Sequence, residues 1–392
     1  MTKTAYRDGT AADFEAENLP AFRRQERTTS GSTGQPLAFA IDRQAIPVVF
    51  ASHLFYDSWF DLGPFDRYVR IMSPPAVSAG LPPETPLRFR LRQAVSARLQ
   101  RLYEARTQLR LSVWEVDEAR ADEIWRRLEA FRPAYVMGYT STLAELANVL
   151  SARRRRLTRP LRAVVTIGET LSPFRKRAIE DYFAAPIANR YGLREFGSWS
   201  AQSCAVSADR FHVNTELVVC EVVRADGSPA RPGEIGRVVL TDLFNYARPF
   251  IRYDTGDLAA FEPDTCACGR AFPLLGPIEG RSTECLRTPS GRMIAPIVLG
   301  HYLFVYSKNL DAVRHYQLIQ SGPAEARLLV VPGAGWDAAT VQRLQNDLVG
   351  LLGEDMRTTV EAVSEIPLER SGKRPIIKVL PGTQVHAAGF VP

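Results

Sequence analysis

The 392 residues exceed what one hydrophobic core ordinarily organises, so two domains, or one large domain with a smaller companion, are expected. With 45% hydrophobic and 23% charged residues, the composition excludes a disordered or fibrous chain. The net charge of +6 is scattered; its one dense run, Arg153–Arg156, follows an apolar helical pattern and reads as a solvated helix end, so no nucleic-acid partner is expected.

No apolar run approaches a membrane span, and the residues after Met1 carry no apolar leader, so a cytoplasmic location without a membrane partner is expected. In that compartment Cys204, Cys220, Cys266, Cys268 and Cys285 are not expected to form a disulfide framework. An oligomer is compatible with these numbers. Lysine is scarce (Lys3, Lys176, Lys308, Lys373 and Lys378), which makes a lysine inside a motif conspicuous.

In chain order, the first distinctive stretch is Arg27–Pro36, in which Thr28, Thr29, Ser30, Ser32 and Thr33 are interleaved with Gly31 and Gly34. Such a loop can aim N–H and O–H donors at a polyanion, although it is not a Walker loop and a flexible linker has the same composition. Leu37–Ile41 reads as a short strand, Asp42 to Phe60 as helix-compatible, and Tyr68–Met72 as a buried strand. The Pro-rich Ser73–Pro86 is expected to be a long loop walling a pocket. A helix is predicted from an Asp117 cap to Phe131, then a strand Pro133–Met137, a turn at Gly138 and a helix Ser141–Leu150. The pattern repeats as strand Leu161–Ile167, turn Gly168-Glu169, a helix capped by Ser172 and Pro173, and strand Ile187–Arg190. This alternation predicts an α/β layered domain with ligands at the strand C-terminal ends.

From Phe211 the texture becomes β, with strands over Phe211–Val223, Gly236–Leu240 and Phe250–Phe261. A smaller α+β unit follows Arg281: a hairpin at Ser290-Gly291, a helix near Ile297–Tyr306, a strand pair turning at Gly322-Pro323, a helix Ala338–Leu352 and a strand Thr358–Val363. The fold expected is α/β, with a large N-terminal layered domain (1–280) carrying a β-rich subdomain and a small mobile C-terminal α+β domain (281–392).

Six short signals occur in one order: Thr28–Gly34; Gly168-Glu169; Tyr191–Glu195; Arg252–Asp257; Gly280-Arg281; Ser371-Gly372-Lys373. Together they resemble the adenylate-forming superfamily of acyl-CoA synthetases and adenylation enzymes. The stretches Tyr191–Gly197, Gly233–Leu243, Arg248–Asp257 and Cys266–Arg270 are similar to the phenylacetate–CoA ligase-like group, including its capsule-biosynthesis-type members. The resemblance implies an ATP- and Mg²⁺-dependent ligase. It would join a carboxylic acid, expected to be aromatic, to the α-phosphorus of ATP, release pyrophosphate, and pass the acyl group to a thiol, with CoA the expected acceptor. An amine, a hydroxyl or a carrier protein is the alternative acceptor, and a non-catalytic nucleotide-binding scaffold is the alternative class.

Carried over residue by residue, Thr29, Ser30, Gly31, Ser32, Thr33 and Gly34 would hold the β- and γ-phosphates, and Glu195 would hold Mg²⁺. Tyr191 and Gly192 would meet adenine on one side, and Gly168, Glu169 and Thr170 would line the other. Asp257 would accept hydrogen bonds from the ribose hydroxyls. Arg281 would reach the ribose at a hinge with Thr283 at the pivot, and Arg194 would contact the α-phosphate. Lys373 would bridge the acid and the α-phosphate. Read without the resemblance, Tyr191 is a strand-end core aromatic, Asp257 a turn aspartate and Lys373 a loop lysine. Leu37, Arg194 and Thr283 depart from the residues common in the family. The acid pocket is expected between the Pro-rich loop, the Val136–Tyr139 turn and Gly168, with Met137 and Tyr139 as walls. Finally, Cys204, His212, Cys266 and Cys268 match a closed Cys₃His zinc site by residue type, and similar cysteines recur in the resembled group; four unligated side chains are the alternative.

Overall fold

The computed structural model describes residues 2–9, 13–18, 20, 23–28, 37–73, 85–281, 285–306, 312–369, 371–380 and 383. The expected phosphate loop (Thr29–Gly34), the pivot Thr283 and residues 74–84 of the Pro-rich segment lie outside the described residues.

Ala163–Ile167 is buried at every position because it runs inside a sheet covered on both faces. Val164 points to a cluster with Ile124, Leu128, Leu146 and Ile179 from the helices Ala121–Phe131, Thr140–Ala152 and Pro173–Phe183. Its neighbours Val165 and Ile167 pack on the opposite face with Phe60 and Leu62, the alternation a strand imposes. Each aliphatic side chain so buried contributes about 1.5–3 kcal/mol. The sheet has eight strands, of which five run parallel: Gln108–Leu111, Tyr68–Ile71, Tyr135–Tyr139, Ala163–Ile167 and Ile187–Leu193. Ser198–Cys204, Ser207–Val213 and Leu274–Leu275 extend it antiparallel.

Three sequence expectations are corrected. The strand expected over Phe211–Val223 is two strands in different sheets, broken after Val213 where Asn214 Nδ2 donates to Trp199 O and Ser52 Oγ. The helix expected from Asp117 begins at Ala121; Asp117 Oδ1 instead accepts Arg120 N at 2.8 Å, closing the turn before it. Gly138 is not a turn but lies inside Tyr135–Tyr139, where a Cβ would stand 2.7 Å from Ile71 O of the adjacent strand.

A second, antiparallel sheet consists of Val218–Val223, Gly236–Asp242, Tyr253–Ala259 and Gly280–Arg281. Its last pairing sets Asp257 opposite Arg281. After residue 285 a mixed sheet orders Arg357–Ala362, Glu325–Pro332, Val313–Gly322 and Ile377–Val379. Helix Ala338–Leu352 covers it, capped by Asp337, whose Oδ1 accepts Thr340 N at 2.7 Å. Leu318, Leu328, Val330, Leu344, Leu348 and Ile377 form the centre of a separate core, to which Phe174 is added from the α/β part.

Candidate active site

Parallel strands end on one edge of the sheet, so Ala163–Ile167 and Ile187–Leu193 deliver residues 168–170 and 191–193 to the same place. An open cleft lies there, lined by both strand ends and by the Lys373 turn. It brings together Gly168, Glu169, Thr170, Tyr191, Gly192, Asp257, Arg281 and Lys373, eight of the residues singled out from sequence.

Tyr191 and Asp257 form one unit. The Tyr191 hydroxyl donates to Asp257 Oδ2 at 2.7 Å, Arg281 Nε donates to Oδ1 at 3.2 Å, and Asp257 N donates to Thr255 Oγ1 at 3.0 Å. Burial, reinforced by the Asp257 charge, pushes the Tyr191 phenol well above its ordinary pKa and keeps it a donor. Each carboxylate oxygen keeps a lone pair after these contacts, so Asp257 can still accept from a ligand's hydroxyl.

Lys373 reaches the cleft from the C-terminal unit. A Cβ on Gly168 (φ +71°) would lie 3.4 Å from Lys373 Nζ, which itself stands 5.6 Å from the Tyr139 ring centre. The turn is tight: Gly372 N donates to Glu369 O at 2.8 Å, and Glu369 N to Lys373 O at 2.9 Å. It is gripped on both sides, because Ser73 Oγ donates to Ser371 O at 2.8 Å and Arg374 N to Glu169 Oε1 at 2.9 Å. The other oxygen of Glu169 accepts Ser141 N at 2.7 Å. Glu169 therefore spends its carboxylate tying backbone segments together, a task its turn position did not reveal.

Two expected residues do not line this cleft. Glu195 is 4% exposed and accepts Tyr253 Oη at 3.2 Å on Oε1. Arg194 lies near Arg27, whose pKa is lowered by burial and then by the Arg194 charge, and near Tyr139, whose pKa burial raises against the Ser73 hydrogen bond and the Arg194 charge. Arg27 belongs to strand Arg24–Thr28, which leads into the expected phosphate loop. Arg175 and Arg374, which sequence reading missed, also line the cleft; neither belongs to one of the six signals, although Arg374 directly follows the last.

The Cys/His set converges elsewhere. The hairpin of Ser198–Cys204 and Ser207–Val213 carries Cys204 and His212, and the loop after Tyr253–Ala259 carries Cys266 and Cys268. Cys204 Sγ lies 3.6 Å from Cys266 Sγ, and Cys268 Sγ 3.4 Å from His212 Nε2; all four ligand atoms lie within 4.8 Å of one another. Tetrahedral zinc with its usual bond lengths separates such atoms by about 3.5–3.8 Å. Burial, then the Arg270 charge, lowers the His212 pKa and favours the neutral ligand form. The donor set fits zinc.

Residues 286–379 match the CapK C-terminal domain family. The phenylacetate–coenzyme A ligase of Thermus thermophilus is 28% identical over 197 residues, 49% of this chain and 43% of that protein. Protein CapK of Staphylococcus aureus is 20% identical over 68% of this chain and 57% of its own length. The match thus spans about half the length of these relatives. Among solved structures, a 2-hydroxyisobutyryl-CoA ligase in its postadenylation state, in complex with R3-HIB-AMP, superposes with a TM-score of 0.73 at 19% identity, over 97% of this chain and 79% of that one. The same ligase in its thioesterification state gives 0.57, at 20% identity over 97% and 80%. The amide bond synthetase McbA of Marinactinospora thermotolerans gives 0.60 at 18% identity, over 89% and 67%. The chain shares the fold of these ligases and of the amide bond synthetase, and in sequence it is similar to phenylacetate–coenzyme A ligase and to CapK. Among its described residues no helix is long and apolar enough to cross a membrane.

Proposed function

We propose that this phenylacetate–CoA ligase-like chain adenylates a carboxylic acid with ATP and transfers the acyl group to CoA. The observation that carries the reading is the delivery of Lys373, from a separately cored C-terminal unit, to Gly168 in the cleft that holds the Tyr191–Asp257 pair. In the first step a carboxylate oxygen attacks the α-phosphorus of ATP and the bond to the β-phosphate oxygen breaks, releasing pyrophosphate. The Lys373 ammonium stands over the negative charge shared by acid and α-phosphate. Asp257 accepts from the ribose hydroxyls, Tyr191 packs against adenine and holds Asp257, and Gly168 leaves room for Lys373. In the second step the acceptor thiolate attacks the acyl carbonyl and AMP leaves with the bonding electrons.

Mg²⁺ would be held by Glu195 together with phosphate oxygens, and Thr29–Gly34 would grip the phosphates. The Cys204, His212, Cys266 and Cys268 cluster would hold structural zinc, locking the hairpin after Glu195 to the loop after Asp257. Residues 281–392 would be the mobile unit, rotating about Arg281 to withdraw Lys373 and admit the acceptor. Tyr139, whose ring centre stands 5.6 Å from Lys373 Nζ, favours an aromatic acid, and reliance on ATP and CoA favours the cytoplasm. The fold shared with an amide bond synthetase favours, as a second reading, an amine acceptor.

A panel of aryl and aliphatic acids, assayed for pyrophosphate release with and without CoA, tests this. Acid-dependent release with acyl-CoA formation is expected. Acyl-AMP that accumulates despite CoA points to the other acceptor, and absence of release with every acid overturns the reading.

A further inference from the structure

Next to Lys373, a buried polar cluster joins the two parts of the molecule. Glu145 lies on helix Thr140–Ala152 of the α/β part, His315 on strand Val313–Gly322 of the C-terminal unit, and Arg374 in the Lys373 turn. Their side chains are 15%, 12% and 14% exposed, so each charge there needs a partner. His315 Nε2 bonds the Glu145 carboxylate, and Arg374 Nη1 sits against the imidazole edge, 3.2 Å from Nε2 and 3.4 Å from Nδ1, and 4.0 Å from Glu145 Oε2. One tautomer satisfies the whole chain: neutral His315 donates from Nε2 to Glu145 and accepts at Nδ1 from Arg374. A second proton on His315 would set an N–H against an N–H and a cation against a cation.

Arg374 is fixed from several further directions. Its N donates to Glu169, its Nε donates to Ile366 O at 2.9 Å, and its carbonyl accepts from Arg175 Nη2. The other charged groups facing the cluster are Arg314, 4.0 Å from Glu145, Arg175, which acts on both His315 and Arg374, and Glu169 and Glu365, which act on Arg374.

We propose that Glu145, His315 and Arg374 form a releasable latch between the α/β part and the C-terminal unit. It positions Lys373 for adenylation and breaks before acyl transfer. The inference rests on the proposed role of Lys373. Glu145 and His315 are positioning residues: they act through Arg374, the neighbour of Lys373. A latch of this kind serves only one of the two half-reactions, whereas a merely structural contact would support both equally.

Glu145→Gln is expected to slow acyl-AMP formation from acid and ATP about tenfold to hundredfold, the size expected for a lost charge-assisted hydrogen bond. Transfer from preformed acyl-AMP should stay at the wild-type rate or rise. His315→Gln keeps one donor and one acceptor but takes no proton, so it should retain adenylation, whereas His315→Phe should behave like Glu145→Gln. Burial, opposed by Glu145, lowers the His315 pKa from 6.5 in the latched form. The latch is therefore intact above that value and loosens as pH falls below it. Wild-type adenylation should decline on acidification from pH 6.5, and His315→Gln should flatten that decline. Hydrogen exchange of residues 371–377, measured without acid or nucleotide, should quicken in Glu145→Gln while strand Ala163–Ile167 stays protected. If wild type adenylates no acid, the proposed function fails and the exchange result still judges the latch. Unchanged exchange, or equal loss of both half-reactions in Glu145→Gln, overturns it.

Discussion

Gly372→Ala perturbs the Lys373 turn without touching the lysine. Gly372 has φ +78°, and a Cβ there would lie 2.3 Å from Ser73 Oγ, 2.8 Å from Val113 Cγ2 and 3.5 Å from the Tyr139 ring. The left-handed backbone costs alanine about 1–2 kcal/mol wherever the turn persists. The contacts cost something only when the turn is docked. Val113 is β-branched and 2% exposed in the short helix Val113–Glu115, so it cannot yield, and overpacking of this kind costs about 1–3 kcal/mol. Moving Ser73 Oγ aside forfeits its bond to Ser371 O, a further ~0.5–1.5 kcal/mol. The docked state is thus penalised by about 1.5–4.5 kcal/mol, a slowing of adenylation of about tenfold to a thousandfold. Acid-dependent pyrophosphate release at saturating ATP measures it, with acyl transfer from synthetic acyl-AMP as the internal comparison. Wild-type adenylation by Gly372→Ala, or equal loss of both steps, would refute the docked turn as the adenylating arrangement.

Metal analysis of the purified protein should find about one zinc per chain, and Cys266→Ser should release it with a lower Tm; a fully folded, metal-free sample would remove the zinc site. Burial raises the Glu279 carboxyl from 4.5 to about 7 just before the short strand Gly280–Arg281. Its folded pKa lies above its unfolded one, so its ionisation destabilises the fold progressively as pH rises from 4.5 through about 7. Glu279→Gln should accordingly gain about 1–3 kcal/mol at pH 8 and nothing at pH 4, read from paired urea titrations. Equal effects at both pH values would count against this burial.

Much of the scaffold was legible because local chemistry and tertiary context agree. Asp337 and Gly353 bracket the helix Ala338–Leu352 at the ends expected, and Ser172-Pro173 opens its helix as capping rules dictate. The run at residues 163–167, apolar but for Thr166, marks an inner parallel strand. Two of the three failures arose where a residue's partner is distant in sequence. Gly138 looks like a turn glycine until Ile71 O is placed against it. Asn214 ends a strand through Ser52 and Trp199, which no local window contains. At the site, motif order singled out Tyr191, Asp257, Arg281 and Lys373, which share one cleft. The clamps around Lys373 were not readable, because Glu145, Glu169, Arg175 and His315 meet Arg374 only through the packing of the C-terminal unit on the α/β part.

The central claim is that Lys373 supplies the charge that joins acid to ATP. Acid-dependent exchange of labelled pyrophosphate into ATP, in wild type and Lys373→Ala, alongside ATP binding by calorimetry, tests it most directly. The expected result is exchange lost by about a hundredfold or more with ATP affinity nearly unchanged; exchange persisting at the wild-type rate in Lys373→Ala would contradict the account.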